Sequence, residues 1–231
     1  MRRQSRSPTP TLTLTPTPRL PTRRPEAGGA ALTEPARVPF VGLTGGMGSG
    51  KSTALSALGR LGAVTLSTDA VVHSLYSDQQ VVDRVVDRWG SSVAPGGVVD
   101  RAALARVAFA DDVERAWLEQ LIWPLVGAEV VAFRKGSLSH QPLPRAAVVE
   151  TPLLFEAGMD QIYDATVAVI ASEELRSERA AKRGHEAADE RHARQLSQAE
   201  KAERATYVVI NDGTTEELER ELATILDRLG R

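Results

Sequence analysis

The sequence predicts an α/β fold: a five-stranded parallel sheet covered by helices on both faces, opened by a glycine-rich loop and interrupted by a helical insertion. Three observations predict it. Gly45, Gly50, Lys51 and Ser52 satisfy the pattern G-x-x-x-x-G-K-[ST] between an apolar run and an Ala/Leu-rich stretch. Five short runs are apolar on both faces and are separated by helix-length segments, as in a sheet buried on both sides. Residues 74–145 abandon that alternation and read as helix almost throughout.

The elements follow in order. "VPFVGL", bounded by Pro and Gly, is the first buried strand. "TALSALGRLG" is the helix behind the loop and ends at Gly62. "AVTLST" is the second strand. The insertion carries "RAALARVAFADDVERAWLEQLIWPLVGAEVVAFRK", with apolar residues at Leu104, Val107, Ala108, Trp117, Leu118, Leu121 and Ile122, and Pro124 marks a kink or break. "AAVVETPLLF" holds the third strand, stopped by Pro152, and its Leu153, Leu154 and Phe155 read as core. "ATVAVIAS" and "TYVVIND" are the fourth and fifth.

Residues 1–37 differ from this body. They are rich in Pro, Thr and Arg, with almost no large apolar side chains, and cannot bury enough surface to offset their ordering entropy. The composition predicts a disordered tail, either dispensable or used for localisation or a partner. It lacks the apolar core of a secretory signal. Seven arginines against two glutamates give it a net charge of +5, which leaves −7 for residues 38–231, since the whole chain sums to −2.

That near-neutral total gives no general attraction to nucleic acid or membrane. No cysteine is present, which excludes disulfides, thiolate metal sites and cysteine nucleophiles. Four histidines without an H-E-x-x-H spacing give no zinc motif. No apolar run approaches the roughly 18 residues of a membrane span. A cytoplasmic protein, monomeric or weakly homo-oligomeric, is expected.

The composition of the loop has a physical reason. Glycines allow backbone conformations closed to other residues, so successive N–H groups turn inward on phosphate oxygens. The helix beginning near Lys51 adds the positive end of its dipole. Gly46, Met47, Gly48, Ser49, Gly50, Lys51, Ser52 and Thr53 form the expected nucleotide cradle. Lys51 reaches the β- and γ-phosphates and the Ser52 hydroxyl sits on Mg²⁺. A nucleoside triphosphate is therefore expected, bound by a switch GTPase, a motor or regulatory ATPase, or a small-molecule kinase. The guanine-reading Asn-Lys-x-Asp motif is absent, and the chain is short for a motor. A compact kinase fits best.

A kinase also needs a group to orient the acceptor, a charge clamp and a magnesium ligand. Asp69, just past the second strand, is a candidate base for an acceptor hydroxyl or else a helix N-cap. Arg176, Arg179 and Arg183 share one helix face by their spacing, and Arg191 and Arg194 follow Gly184. They form either a lid over the triphosphate, within about 176–198, or a solvated face paired with neighbouring glutamates. Glu150 ends the third strand, as a magnesium-holding acid or an acid exposed at the sheet edge.

Taken in order, "VGLTGGMGSGKST", "GAVTLSTDAVVH", "VVDRAALARVAFAD", "LIWPLV", "ETPLLFEAGMD" and "QLSQAEKAERATYVVINDGTTEEL" resemble the dephospho-CoA kinase family from about Phe40 to Leu226. The resemblance implies a P-loop kinase core, a helical CoA-binding insertion at about 74–145 and a small arginine-bearing lid. It implies ATP and dephospho-CoA as substrates, with phosphorylation of the ribose 3′-hydroxyl. It places Asp69 on the acceptor-activating aspartate, Arg101 on a substrate-domain arginine, Arg183 and Arg191 on lid arginines, and Asn211 and Gly213 in the turn near the adenine.

Three departures from the family pattern stand out. Trp123-Pro124 replaces His-Pro, the Arg183–Arg191 span is about three residues shorter than usual, and Thr206 stands where an acid is common. Another P-loop metabolite or nucleotide kinase is the alternative within the class. A non-catalytic ATP-binding regulator is the alternative outside it.

Overall fold

The computed structural model describes residues 37–181 and 195–230. The tail at 1–36, and with it the reading of that segment, lies outside the described residues. Five parallel strands, β1 (Phe40–Gly45), β2 (Val64–Ser67), β3 (Ala147–Glu150), β4 (Ala165–Ile170) and β5 (Tyr207–Ile210), form one sheet in the order β2-β3-β1-β4-β5. The register pairs Leu43 with Glu150, Glu150 with Ser67, Gly45 with Val169, and Ile170 with Ile210.

Alternation along the strands assigns each side chain to a layer. Val41, Leu43, Val148, Val167, Val169 and Val209 face α1 (Lys51–Arg60) and the C-terminal helix, numbered α8 below. Phe40, Ala147 and Val149 face the other way, onto Val130, Leu154, Phe155 and Tyr163. Leu43 and Val148 have no exposed surface. Full burial of such a side chain contributes about 1.5–3 kcal/mol. Gly42 lies beneath this second layer: a Cβ there would come within 2.5 Å of Leu154 and 2.7 Å of Tyr163. At the outer side of the sheet, Thr206 and Thr166 exchange two bonds at 3.0 and 3.1 Å, main-chain N–H to hydroxyl in each direction, which fixes β5 against β4 without an acid.

Between β2 and β3 run α2 (Thr68–Leu75), α3 (Gln79–Trp89), α4 (Arg101–Ala108) and α5 (Asp112–Ser137). The Asp78, Asp100 and Asp111 side chains cap α3, α4 and α5 by accepting from N–H groups of the first turn. These helices have a core of their own: Val81, Val82, Val85, Val93, Val99, Leu104, Ala108, Leu118 and Ile122. α5 continues through Pro124 without a break. By length and hydropathy α5 alone among the described residues would suit a membrane span. It instead contributes Leu118 and Ile122 to the helical core and Val130 to the sheet. Its side facing outward keeps Trp123 56% exposed.

After β4 come α6 (Glu173–Ala181), α7 (Gln198–Arg204), β5 and α8 (Thr215–Leu229). Capping boxes at Ser197/Glu200 and Thr214/Glu217 start α7 and α8.

Candidate active site

The sheet brings its functional positions to one edge. Adjacent strands lie about 4.8 Å apart. The register Leu43–Glu150–Ser67 therefore puts Leu43 and Ser67 about 10 Å apart, with Glu150 between them. The glycine-rich loop leaves β1 two residues past Leu43, and Asp69 follows two residues past Ser67. On the other side, β4 and β5 end at Ile170 and Ile210, beside Asn211.

The loop is held from behind. Arg176 Nε donates to the Met47 carbonyl at 2.9 Å, Arg179 reaches the Gly48 carbonyl at 3.4 Å, and Asn211 Nδ2 donates to the Ser49 carbonyl at 2.8 Å. In a planar trans peptide the carbonyl and the next N–H point in opposite directions. The amides of Gly48 and Gly50 are therefore turned away from Arg176 and Asn211. The glycines are required sterically. Gly48 has φ +73, and an added Cβ would come 2.6 Å from the Arg176 carbonyl oxygen. Gly50, at φ +94, would press a Cβ to 2.0 Å from Asn211 Nδ2.

Lys51 opens α1 and its Nζ donates to the Gly46 carbonyl at 3.0 Å. Ser52 and Thr53 are exposed in the first turn. Ser49 is fully buried, and among the described residues its hydroxyl has no hydrogen-bond partner.

Asp69 lies in the first turn of α2 and is exposed. The N-cap position belongs to Ser67, and no side chain caps this helix. Among the described residues Asp69 shows no hydrogen bond or ion pair, so the capping alternative is removed. Glu150 is 5% exposed, which removes the alternative of a water-exposed acid at the sheet edge. A serine hydroxyl and a buried carboxylate at one edge are hard oxygen donors suited to Mg²⁺, which takes most of its ligands from phosphate and water. Among the described residues no cluster of three His, Cys, Asp or Glu side chains offers an alternative metal site.

Arg101 is the first residue of α4, behind the Asp100 cap, and is exposed. Asn211 is 7% exposed; besides its amide bond to Ser49, its main-chain carbonyl accepts two bonds from Arg179 at 3.2 Å. Gly213, with Ile210, Asp212, Glu217 and Arg220, lines a cavity of about 450 Å³. A second cavity of about 370 Å³ lies between Gly46, Arg176, Glu173, Ser197 and Gln198. Arg183 and Arg191 lie outside the described residues.

Sequence reasoning placed Arg176, Arg179 and Arg183 on one helix face, with Arg191 beyond Gly184, and the family resemblance singled out Arg183 and Arg191. The structure adds the first two as supports of the loop. Arg176 is also paired with Glu173 at 2.6 Å, so one guanidinium serves both the loop and the helix surface. Asp212 was likewise missed. Its carboxylate accepts from the Ser172 N–H at 2.7 Å and ties the β5 exit to the start of α6.

The comparisons with known proteins agree among themselves. The family model described as dephospho-CoA kinase matches residues 39–217. A dephospho-CoA kinase of Protochlamydia amoebophila is 35% identical over 194 residues, covering 82% of this chain and 95% of its own length. One from Deinococcus radiodurans is 36% identical over 202 residues, covering 86% and 96%. Among solved structures, TT1252 from Thermus thermophilus superposes with a TM-score of 0.67 at 32% identity, covering 84% of this chain and 99% of its own. A dephospho-CoA kinase from Campylobacter jejuni gives a TM-score of 0.61 at 21% identity, covering 83% and 96%, and shares the fold.

Proposed function

The chain belongs to the dephospho-CoA kinase family and phosphorylates dephospho-CoA to coenzyme A; from that premise we propose which of its residues perform the transfer. The observation that carries the assignment is the single sheet edge that gathers the glycine-rich loop, Glu150 and Asp69. ATP donates the phosphoryl group. The amides of Gly46–Thr53 and the Lys51 ammonium hold its phosphates, and the adenine lies toward the Asn211–Gly213 turn. Ser52 and Glu150 would hold Mg²⁺, which would neutralise charge on the triphosphate.

Asp69 is the acceptor-activating group. Its carboxylate accepts a hydrogen bond from the ribose 3′-hydroxyl and takes the proton as the new O–P bond forms and the bond to the β-bridging oxygen breaks, releasing ADP. Its exposed position, with no partner among the described residues, leaves both oxygens open to a hydroxyl. Arg183 and Arg191 close over the transferring group and stabilise its charge. The helical segment at 74–145 carries the acceptor, with Arg101 among its contacts.

The enzyme acts in the cytoplasm on two free metabolites, as a monomer or weak homo-oligomer, with no nucleic-acid or membrane partner. The net charge of −2 gives no general attraction to nucleic acid or membrane. An acceptor panel tests the assignment. With ATP and Mg²⁺, dephospho-CoA should be turned over at least a hundredfold faster than nucleosides or nucleoside monophosphates. Preference for one of those would reassign the chain to another metabolite kinase.

A further inference from the structure

One buried charge is used by none of the steps above. Lys201 on α7 has no exposed surface. Its Nζ donates to the Pro152 carbonyl at 2.6 Å, lies 2.9 Å from Glu156 Oε1, and approaches Thr44 Oγ1 at 3.5 Å. The Thr44 hydroxyl donates to the same Pro152 carbonyl at 3.3 Å. Glu156 Oε1 also accepts from the Leu196 N–H at 2.8 Å.

The three segments that meet at this ammonium bear directly on the site. Thr44, fully buried, immediately precedes Gly45 and the glycine-rich loop. Pro152 lies two residues past Glu150. Leu196 stands two residues ahead of α7, whose first residue, Gln198, grips Ala171, accepting from its N–H at 2.9 Å and donating to its carbonyl at 2.8 Å. Burial pulls Lys201 below the ordinary lysine pKa, and the Glu156 carboxylate opposes that shift. A buried ion pair gives weak net stabilisation, because desolvation offsets attraction; an apolar pair would serve a purely structural need as well. What an ammonium adds is direction, since its N–H groups fix acceptors on different segments at defined distances.

We propose that Lys201 is a positioning residue for phosphoryl transfer. It locks the exit of β1 to the exit of β3, so that the phosphate loop and Glu150 keep one spacing, and Glu156 anchors the chain at Leu196 to the same point. The proposal rests on the kinase reading above. Misplacement of reacting groups by about 1 Å costs on the order of a hundredfold in rate. Loss of Lys201 should therefore act on turnover more than on nucleotide binding, because Arg176, Arg179 and Asn211 still hold the loop.

The test uses full-length wild-type protein, K201M and the double variant E156Q/K201M, which removes the carboxylate left unpaired. For each, the melting temperature, kcat with dephospho-CoA and the Kd of a fluorescent ATP analogue are measured. In K201M the melting temperature falls and kcat drops at least tenfold, while the Kd moves less than threefold. In the double variant the melting temperature recovers and kcat does not. Recovery of both together would assign the pair to stability alone and overturn the positioning role, as would wild-type kcat in K201M or failure of both variants to fold. Wild-type protein inactive on dephospho-CoA would instead refute the acceptor assignment.

Discussion

The side-chain amide of Asn211, one residue past β5, donates to the main-chain carbonyl of Ser49 inside the glycine-rich loop at 2.8 Å. Both groups are buried, and the amide stands where any side chain at position 50 would have to go. The loop is thus shaped by a strand that lies two strands away from β1 in the sheet.

Removing that amide leaves a buried carbonyl unpaired, at a cost of about 1–3 kcal/mol. Asn211→Ala is expected to weaken ATP binding roughly tenfold or more, measured by titration with a fluorescent analogue, with a smaller effect on the KM for dephospho-CoA. Unchanged ATP affinity would mean that the loop keeps its shape without this support.

Asp69→Asn keeps the size of the side chain and removes its basicity. Positioned general bases contribute about 10²–10⁴-fold. We expect kcat to fall by that range, with ATP affinity within about threefold of wild type. Near-normal turnover would remove Asp69 from the chemistry.

Much of this was legible in the sequence. The loop, its flanking strand and helix, and the five apolar runs are local patterns, and the structure contains each of them. The strand order β2-β3-β1-β4-β5 was not legible, because adjacency depends on crossovers that no run encodes. Of the two readings of Pro124, the break is overturned: α5 continues through it, with Ile122 before the proline and Val130 after it both packed into cores.

Lys201 was invisible for a related reason. In "QAEKAER" it sits among charges, and nothing in that local pattern marks it as buried. Only the fold brings Glu156 and Pro152 to it. Arg176 and Arg179 were half legible: their shared face was evident, but not that the face meets loop carbonyls.

Glu150→Gln retains shape and removes the charge proposed to hold magnesium. The Mg²⁺ concentration for half-maximal activity should rise at least tenfold, a scale typical for lost metal-site partners. A Mg²⁺ requirement equal to that of wild type would exclude Glu150 from the metal site.

In the helical segment, Arg88 donates to Glu114 through two N–H groups at 2.6 and 2.9 Å, and Trp89 Nε1 adds a third bond at 2.7 Å. The Arg88 bonds, with help from Trp89 and against partial burial, hold the Glu114 carboxyl below its ordinary value of 4.5. A depressed carboxyl stabilises the fold above its unfolded pKa, and that contribution is lost as pH falls through the folded value. Wild type should therefore melt above E114Q at pH 7, with the gap closing below about pH 4.5. A gap independent of pH would show that charge plays no part.

The central claim is tested most directly by incubating purified protein with ATP, Mg²⁺ and either dephospho-CoA or its 3′-deoxy analogue, and following the masses of acceptor and nucleotide. The account predicts that dephospho-CoA gains one phosphate as ATP becomes ADP, and that the analogue stays unmodified. Phosphorylation of the analogue, or no transfer to dephospho-CoA, would contradict it.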